Sequence, residues 1–296
     1  MTKRLAIYAA YDAQKQADAA DIAYLQALQP VAENIIYVAD NELLAAEADK
    51  LRGLCRHIIA APHGEYDFGS YKRGFVWAEA AGLLQDVDEL IFCNDSCFAP
   101  FAEFAPIFAA MSERNCDFWG LTENPAFYPH IQSFFLVLRP QVFNSEVFHR
   151  FINGICRQQN VDDVIQNYEI GLSRLLHEAG FASASYIAYP HPPKKHSNLT
   201  AHPIWLIKQG CPLLKKKALR LAEANMEGIW PTYFFVRRYK NVPVSRQDVV
   251  LSTGIKCFAR RIARFFFCRK TTKSRKLLIK ICKIPVYCRR LPEDRP

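Results

Sequence analysis

The side chains best suited to chemistry in this chain stand at the ends of apolar runs. Asp88-Glu89-Leu90-Ile91-Phe92-Cys93 leads into Asn94-Asp95-Ser96. The run reads as a buried strand that delivers a carboxylate to the edge of a sheet, where α/β proteins bind ligands. Mg²⁺ and Mn²⁺ take oxygen ligands and are held by as few as one or two protein carboxylates. The tripeptide therefore predicts Asp95 as the residue facing a metal–diphosphate, with Asn94 and Ser96 beside it. It is equally what an N-cap and turn would present.

Three further groups qualify. Pro62-His63-Gly64-Glu65-Tyr66-Asp67-Phe68-Gly69-Ser70-Tyr71-Lys72-Arg73-Gly74 reads as a Gly-containing loop that opens into a helix over Val76–Leu84. Free backbone N–H groups at such a helix start suit a phosphate. Asp67, Ser70 and Lys72 join Asn94 and Ser96 as candidates for binding the nucleotide. A surface turn would carry the same residues. Glu169 falls in a helix predicted over Asp162–Ala179, on one face with Leu172 and Ser173. Partial burial there would raise its pKa and suit it to act as a base; a surface Glu on an amphipathic helix would fit the same spacing. His130, Gln132 and Ser133 cluster at a strand start and are candidates for acceptor binding. His191, His196 and His202 lie in a late loop as further metal or diphosphate ligands.

The elements that must position these groups alternate. Leu5–Tyr11, Asn34–Ala39 and Arg56–Ala61 read as strands; Ala17–Leu28 and Glu42–Leu54 read as helices. Strand, helix, strand, helix, strand predicts a parallel sheet with crossover helices, the layout of a nucleotide-binding half-domain. Neither a Walker loop nor a G-x-G-x-x-G is present. Strands are also expected over Cys116–Thr122, His130–Arg139 and Tyr186–Tyr189, and helices over Phe104–Met111 and Phe143–Ile155.

Composition bounds the class. The chain has 296 residues, half of them hydrophobic and 13% aromatic, enough for one large core. Its net charge of +9 is concentrated beyond Val249, where no Asp or Glu occurs before Glu293. Ten cysteines without a CxxC pair are expected as free thiols in a reducing cytosol. Met-Thr-Lys-Arg followed at once by a strand-like run is not a secretory signal. No uncharged apolar run reaches the ~20 residues of a membrane span.

Several stretches in register resemble one family. Tyr66-Asp67-Phe68-Gly69-Ser70-Tyr71-Lys72, Cys93-Asn94-Asp95-Ser96-Cys97, Cys116-Asp117-Phe118-Trp119-Gly120-Leu121-Thr122, His130-Ile131-Gln132-Ser133-Phe134-Phe135 and Tyr168-Glu169-Ile170-Gly171-Leu172-Ser173 occur in this order. Together with Leu206-Ile207-Lys208-Gln209-Gly210-Cys211-Pro212-Leu213-Leu214-Lys215-Lys216 they resemble the rhamnan synthesis protein F family of bacterial polysaccharide and lipopolysaccharide glycosyltransferases. The resemblance covers roughly residues 1–220. It implies an α/β, GT-A-like nucleotide-binding domain with a central, mostly parallel sheet flanked by helices. It implies transfer of a sugar, with rhamnose a candidate, from a nucleotide-diphosphate donor to a growing cell-surface glycan. Asn94-Asp95-Ser96 would stand for the Asp-x-Asp metal motif, and Glu169 would be the base of an inverting transfer. His63 and Glu65 replace the family's usual Asn and Gly ahead of Tyr-Asp-Phe-Gly, and the first carboxylate of Asp-x-Asp is missing. A GT-A-like protein that has lost catalysis and binds glycan or membrane is the alternative.

The division expected from these readings is a GT-A-like domain over 1–220, a connecting segment over 221–248 and a basic amphipathic tail over 249–296. In the tail, Ile255, Phe258, Ile262, Phe265 and Phe266 fall at helical spacing among Lys256, Arg260, Arg261 and Arg264. Leu277, Leu278, Ile281 and Ile284 continue the pattern with Lys276, Lys280 and Lys283. Such a helical tail suits an anionic membrane surface or packing on its own domain. The expected partners are a nucleotide-sugar donor, a glycan or lipid-linked glycan acceptor and that membrane surface. Nucleic acid is not expected, since no recognition motif occurs. The expected cofactor is Mn²⁺ or Mg²⁺. The expected location is cytoplasmic, peripheral on the inner face of the bacterial plasma membrane.

Overall fold

A computed structural model describes residues 2–188 and 198–249, and the backbone of three strands between residues 268 and 290. Residues 1–250 form one compact unit and 251–296 another.

The first unit alternates as its sequence pattern demands. β1 (Arg4–Ala10), α1 (Ala19–Leu28), β2 (Asn34–Ala39), α2 (Ala45–Leu51), β3 (His57–Ala60), α3 (Tyr66–Ala80) and β4 (Glu89–Asn94) come first. β5 (Cys97–Phe98), α4 (Ala105–Ser112), β6 (Phe118–Asn124), β7 (His130–Ile131), β8 (Phe135–Leu138), α5 (Pro140–Phe143) and α6 (Glu146–Asn153) follow. Next are α7 (Val161–Val164), a π-helical turn (Ile165–Ile170), α8 (Gly171–Glu178), β9 (Ser183–Ile187), α9 (Pro203–Lys208), β10 (Leu214–Lys215) and α10 (Ile229–Val236).

The main sheet runs β3-β2-β1-β4-β8-β6-β7, with β9 added beside β6. β1 to β4 are parallel, β8 is antiparallel to both β4 and β6, and β9 is again parallel to β6. This is a mixed, mostly parallel sheet flanked by helices. Alternation of side chains along each strand sends them into two cores. Tyr8, Tyr37, Ile91, Cys93, Trp119 and Phe135 pack on the α1 side with Tyr24 and Phe104. Leu5, Ile7, Val38, Phe92 and Leu136 pack on the α3 side with Tyr71 and Phe75.

The stretch expected as a loop over residues 62–74 is largely helix: α3 begins at Tyr66, ten positions before the expected start at Val76. Gly64, at φ +68°, turns the chain into the helix, whereas Gly69 and Gly74 within it are present for close approach. A Cβ at Gly74 would stand 2.5 Å from Cγ2 of Ile7 on β1, so only glycine lets this helix lie so near the sheet. The strand expected over His130–Arg139 is broken into β7 and β8 by Gln132, Ser133 and Phe134. The expected long helix over Asp162–Ala179 contains the π-helical turn, which carries Glu169.

A third core holds the later part of the chain. Phe98 and Phe101 pack with Ile207, Leu214, Leu219, Tyr233 and Val236. The segment 221–248, expected as a connection, thus contributes α10 to this cluster. β10 pairs antiparallel with β5, Lys215 opposite Cys97 and Leu214 opposite Phe98.

In the second unit, β11 (Cys268–Thr271), β12 (Lys276–Ile281) and β13 (Ile284–Arg290) form an antiparallel three-stranded sheet. The helix expected to continue through Leu277, Leu278, Ile281 and Ile284 is therefore replaced by strands. The Ile- and Val-bearing run and Pro285 suit extended backbone better than a helix interior. The helix expected over Ile255–Phe266 lies outside the described residues, as do His191 and His196.

Gly120 on β6 tests the packing directly, since a Cβ there would meet Ile131 and the Phe135 carbonyl oxygen, the latter at 2.7 Å. Backbone cannot yield as a side chain can. Gly120→Ala is expected to lower stability by about 1–3 kcal/mol, read as a lower urea midpoint; an unchanged midpoint would contradict this account of the β6–β8 contact.

Candidate functional site

The ends of β1, β2 and β4 meet at one edge of the sheet. Asp12, Asp40 and Asp95 stand just past them. A cleft of about 480 Å³ opens there, lined by Tyr11, Asp18, Asp21, Asp95, Ser96 and, from the facing wall, Lys215, Lys216, Lys217 and Arg220. β4 is buried throughout, whereas Asp95 and Ser96 at its end are half-buried.

Asp95 is held by local geometry. Its Oδ2 accepts a 2.9 Å hydrogen bond from the Tyr11 N–H. Burial, and then the negative charge of Asp67, push its pKa up to about 7. Asn94 turns its amide onto Asp67, Nδ2 donating to Oδ2 at 2.5 Å. Its Oδ1 accepts from the Ser96 N–H at 3.2 Å and from the Ser96 hydroxyl at 2.5 Å. The tripeptide is thus an Asx-type turn and a delivery point for a carboxylate at once; the two readings of the sequence are not exclusive here.

The facing wall is fixed to this turn. The Lys216 N–H donates to the Ser96 carbonyl at 2.8 Å. The Lys215 ammonium donates to the Ser96 hydroxyl at 3.1 Å and lies 4.3 Å from the centroid of the Phe134 ring. The Lys216 ammonium is 3.2 Å from Asp18 Oδ2 and 4.0 Å from Asp21 Oδ1. Asp21 is buried and accepts from the Tyr8 hydroxyl at 2.9 Å. Burial, with Asp18 adding to it and Lys216 opposing, raises the Asp21 pKa to about 8.

Glu169 forms a second polar centre. Its Oε2 accepts from the Ser133 N–H at 2.8 Å and from the Ser133 hydroxyl. Its Oε1 lies 3.5 Å from Nε2 of His130. That Nε2 is buried and makes no hydrogen bond of good geometry, so the His130 contact is better read as charge facing charge. Nδ1 of His130 lies 2.7 Å from the Tyr128 carbonyl and donates to it. Burial works upward on the Glu169 pKa, but His130, Ser133 and the charge of Lys215 outweigh it and bring it down to about 2. This corrects the sequence expectation of a raised pKa: burial alone was weighed there, without the donors that surround the carboxylate. Burial lowers the His130 pKa and Glu169 more than restores it, leaving it raised. The expected shared face is present, since Ser173 accepts from the Ile131 N–H at 3.1 Å just below Glu169.

The expected donor-binding set divides. Asp67, Asn94 and Ser96 are joined by the contacts above. Burial pushes the Asp67 pKa up, with Lys215 and the Asn94 amide opposing. Ser70 is buried and pairs with Nε2 of His63 at 3.1 Å. Nδ1 of His63 accepts from the Glu65 N–H at 3.1 Å, so the ring donates to Ser70 through Nε2. The Lys72 ammonium is taken up by the Ile155 carbonyl at 2.8 Å, and the structure does not bring it to the cleft. Of the acceptor set, His130 and Ser133 reach Glu169, whereas Gln132 accepts from the Thr122 hydroxyl at 2.9 Å.

Sequence reading missed Lys215, Lys217, Arg220, Asp21 and Asp40 as site residues. Asp40 takes the N–H groups of His63 and Gly64 on Oδ1, the latter at 2.8 Å, and so ties the entry of α3 to the end of β2. The signals were available: an Asp immediately after a strand for Asp40, and the Lys-Lys-Lys run after Pro212 for the facing wall.

The raised pKa of Asp21 makes its protonated form the one the fold favours. That stability is present below the ordinary value near 3.8 and is lost as pH rises through about 8. Asp21→Asn is expected to gain stability relative to the parent by more than about 1 kcal/mol at pH 8.5 and to differ little near pH 4, compared as urea midpoints at the two pH values. A variant whose midpoint falls with pH as steeply as the parent's would contradict the assignment.

The sequence profile of the family described as rhamnan synthesis protein F matches residues 35–240. The virulence protein VirA of Vibrio anguillarum is 24% identical over 216 residues, covering 63% of this chain and 69% of its own length. A cytidylyltransferase from Leptospira borgpetersenii is 10% identical, with a TM-score of 0.41, over 86% of this chain and 98% of its own. Glucosyl-3-phosphoglycerate synthase from Mycobacterium tuberculosis, solved with Mn²⁺ and UDP, is 8% identical with a TM-score of 0.35, over 71% and 81%. No residue role in this chain follows from likenesses of this size. The family profile spans the helix of Asp67, the Asn94-Asp95-Ser96 turn, Glu169 and the lysines of the facing wall, and the chain belongs to the rhamnan synthesis protein F family.

Proposed function

We propose that this chain is a glycosyltransferase that moves a sugar from a nucleotide-diphosphate donor to a growing cell-surface polysaccharide or lipopolysaccharide, with inversion at the anomeric carbon. The observation that carries the proposal is the cleft at the ends of β1 and β4. It sets Asp95 opposite a cationic wall, within a chain of this family. A crevice at strand ends is where α/β sheets take nucleotides.

The chemistry needs the leaving diphosphate neutralised and the acceptor hydroxyl relieved of its proton. Asp95 is the carboxylate that would hold a divalent cation, with Asp67 behind it. Burial first, and then the charge of Asp67, raise the Asp95 pKa, and a bound cation relieves both. No group of three or more His, Cys, Asp or Glu arranged for a metal occurs among the described residues. A cation on Asp95 would therefore depend on donor oxygens as well, as Mg²⁺ and Mn²⁺ sites commonly do. Such an ion supplies positive charge to the diphosphate as it leaves.

Glu169 is the base of the reading. In the transfer the acceptor oxygen bonds to the anomeric carbon while the bond from that carbon to the phosphate oxygen breaks. The electron pair leaves with the nucleoside diphosphate, and the hydroxyl proton passes to Glu169. A carboxylate with a pKa near 2 is ionised at neutral pH and weakly basic. It suits a proton that comes off late, once bond formation has made the hydroxyl acidic. His130 and Ser133 keep it ionised and aimed.

Rhamnose is the sugar the family name suggests. The acceptor is a glycan or lipid-linked glycan. The basic tail would hold the enzyme on the inner face of the plasma membrane through anionic lipids. No described helix is long and apolar enough to cross a membrane. The second reading, a glycan- or membrane-binding protein without activity, is favoured by Asn94 standing where a second carboxylate would assist Asp95.

Calorimetry of the full chain with a panel of nucleotide sugars, with and without Mn²⁺, separates the two. One donor is expected to bind; silence across the panel would sink the transferase reading. With that donor, Glu169→Gln is expected to lower turnover by about 10²–10⁴-fold while donor affinity stays within twofold. Wild-type turnover in that variant would remove Glu169 as the base.

A further inference from the structure

Lys215 is a half-buried cation that makes no contact ion pair among the described residues, although its charge reaches Asp67 and Glu169. No carboxylate lies within 4.0 Å of it among the described residues; the ion pairs of this wall involve Lys216 alone. Its polar partner is the neutral Ser96 hydroxyl at 3.1 Å, and its other neighbour is the face of Phe134 at 4.3 Å. Withdrawing an ammonium from water is costly unless it is paired. Flexible lysines ordinarily extend toward solvent. This one cannot do so freely, because β10 pairs with β5 and sets Lys215 opposite Cys97. Lys217 and Arg220 are exposed on the same wall and likewise have no carboxylate within 4.0 Å among the described residues. Lys216 differs: Asp18 and Asp21 occupy it, and it anchors the wall to α1.

We propose that Lys215, supported by Lys217 and Arg220, is a diphosphate-binding residue of this cleft, taking the phosphate oxygens from the side opposite Asp95. The inference rests on the transferase reading and deepens it. Neutralisation of the leaving group is divided between a cation at Asp95 and fixed protein charge on the facing wall. Lysine acts here as a point charge, and the neighbouring guanidinium offers a planar fork that matches phosphate. Lys215 also sits between the two polar centres, on Ser96 of the donor side and Phe134 beside Ser133 of the Glu169 side. A phosphate bound to it would therefore hold the anomeric carbon between them.

The test uses the full chain and nucleoside diphosphates: UDP, GDP, CDP and dTDP. Calorimetry first identifies which of them binds the parent, in Mn²⁺ and in EDTA. Lys215→Met is expected to weaken that nucleotide at least tenfold in both conditions. It should leave the corresponding nucleoside within about twofold, and Lys215→Arg should recover most of the loss. Arg220→Met, at an exposed position, provides a second variant with little risk to folding and is expected to weaken the diphosphate several-fold. Affinity of the parent should fall as salt rises from 50 to 300 mM. If the parent binds one of the nucleotides and folded Lys215→Met and Arg220→Met bind it equally well, the cationic wall is not a diphosphate site and this inference fails alone. If the parent binds none of the four, the donor reading fails and takes the inference with it.

Discussion

The arrangement depends on one short contact: the antiparallel pairing of β10 with β5, closed by the Lys216 N–H on the Ser96 carbonyl at 2.8 Å. Without it the chain would have a sheet edge carrying Asp95 and a run of three lysines far away in sequence. With it, two stretches 119 residues apart become the two walls of one cleft. The pairing is only two residues long, and hydrogen bonds of this kind contribute about 1 kcal/mol each. Its persistence comes from the third core, in which Phe98, Leu214, Leu219 and Tyr233 pack around it. The later segment of the chain is thus part of the site's support.

That geometry sets the electrostatics. Acidic groups on the sheet edge raise one another's pKa values because burial denies them water: Asp95 to about 7 and Asp21 to about 8. Glu169 goes the other way, to about 2, because Ser133 and His130 supply donors and charge at short range. Burial is common to all three. What separates them is the balance around each: Ser133, His130 and Lys215 outweigh burial at Glu169, whereas at Asp95 and Asp21 neighbouring carboxylates add to burial and the opposing donors and Lys216 do not offset it. The result is a division of labour. In the proposed transferase, one group of acids would share a cation or a proton at the donor phosphates, and a separate acid, ionised at neutral pH, would take the acceptor proton. Glu169 lies in the π-helical turn at Ile165–Ile170 and is hydrogen-bonded by Ser133 in the break between β7 and β8; such turns are frequent at functional sites.

Much of this frame was legible in the sequence. Apolar runs of strand length alternating with helical spacing mark β1, β2, β3 and their crossover helices, because period is set by backbone geometry. The turn after β4 was legible as a place where a carboxylate reaches an edge. The start of α3 was not. Gly74 looks like a loop residue to any local rule, and its reason for being in a helix is the nearness of Ile7, a contact from another part of the chain; Gly69 makes room for Glu65 and His63 at the helix entry. Lys72 looked like a phosphate ligand by proximity to Asp67, yet the helix carries its ammonium to the Ile155 carbonyl. Lys215 was passed over for the opposite reason: the Lys-Lys-Lys run marks a cationic stretch but not which lysine matters, and that comes from Ser96 and Phe134. The direction of the Glu169 shift was missed because burial can be guessed from a helical face, while the donors that oppose it lie on another element.

The central claim is that the cleft between the Asn94-Asp95-Ser96 turn and the wall of Lys215 holds the diphosphate of a nucleotide-sugar donor. A crystal structure of the full chain with a bound nucleoside diphosphate tests it most directly. The account predicts phosphate oxygens within hydrogen-bond distance of the Lys215 ammonium, with Asp95 facing them directly or across a metal ion. A nucleotide seated instead in the groove between Phe101, Phe104 and Tyr239, with the Lys215 ammonium still on Ser96 alone, would contradict it.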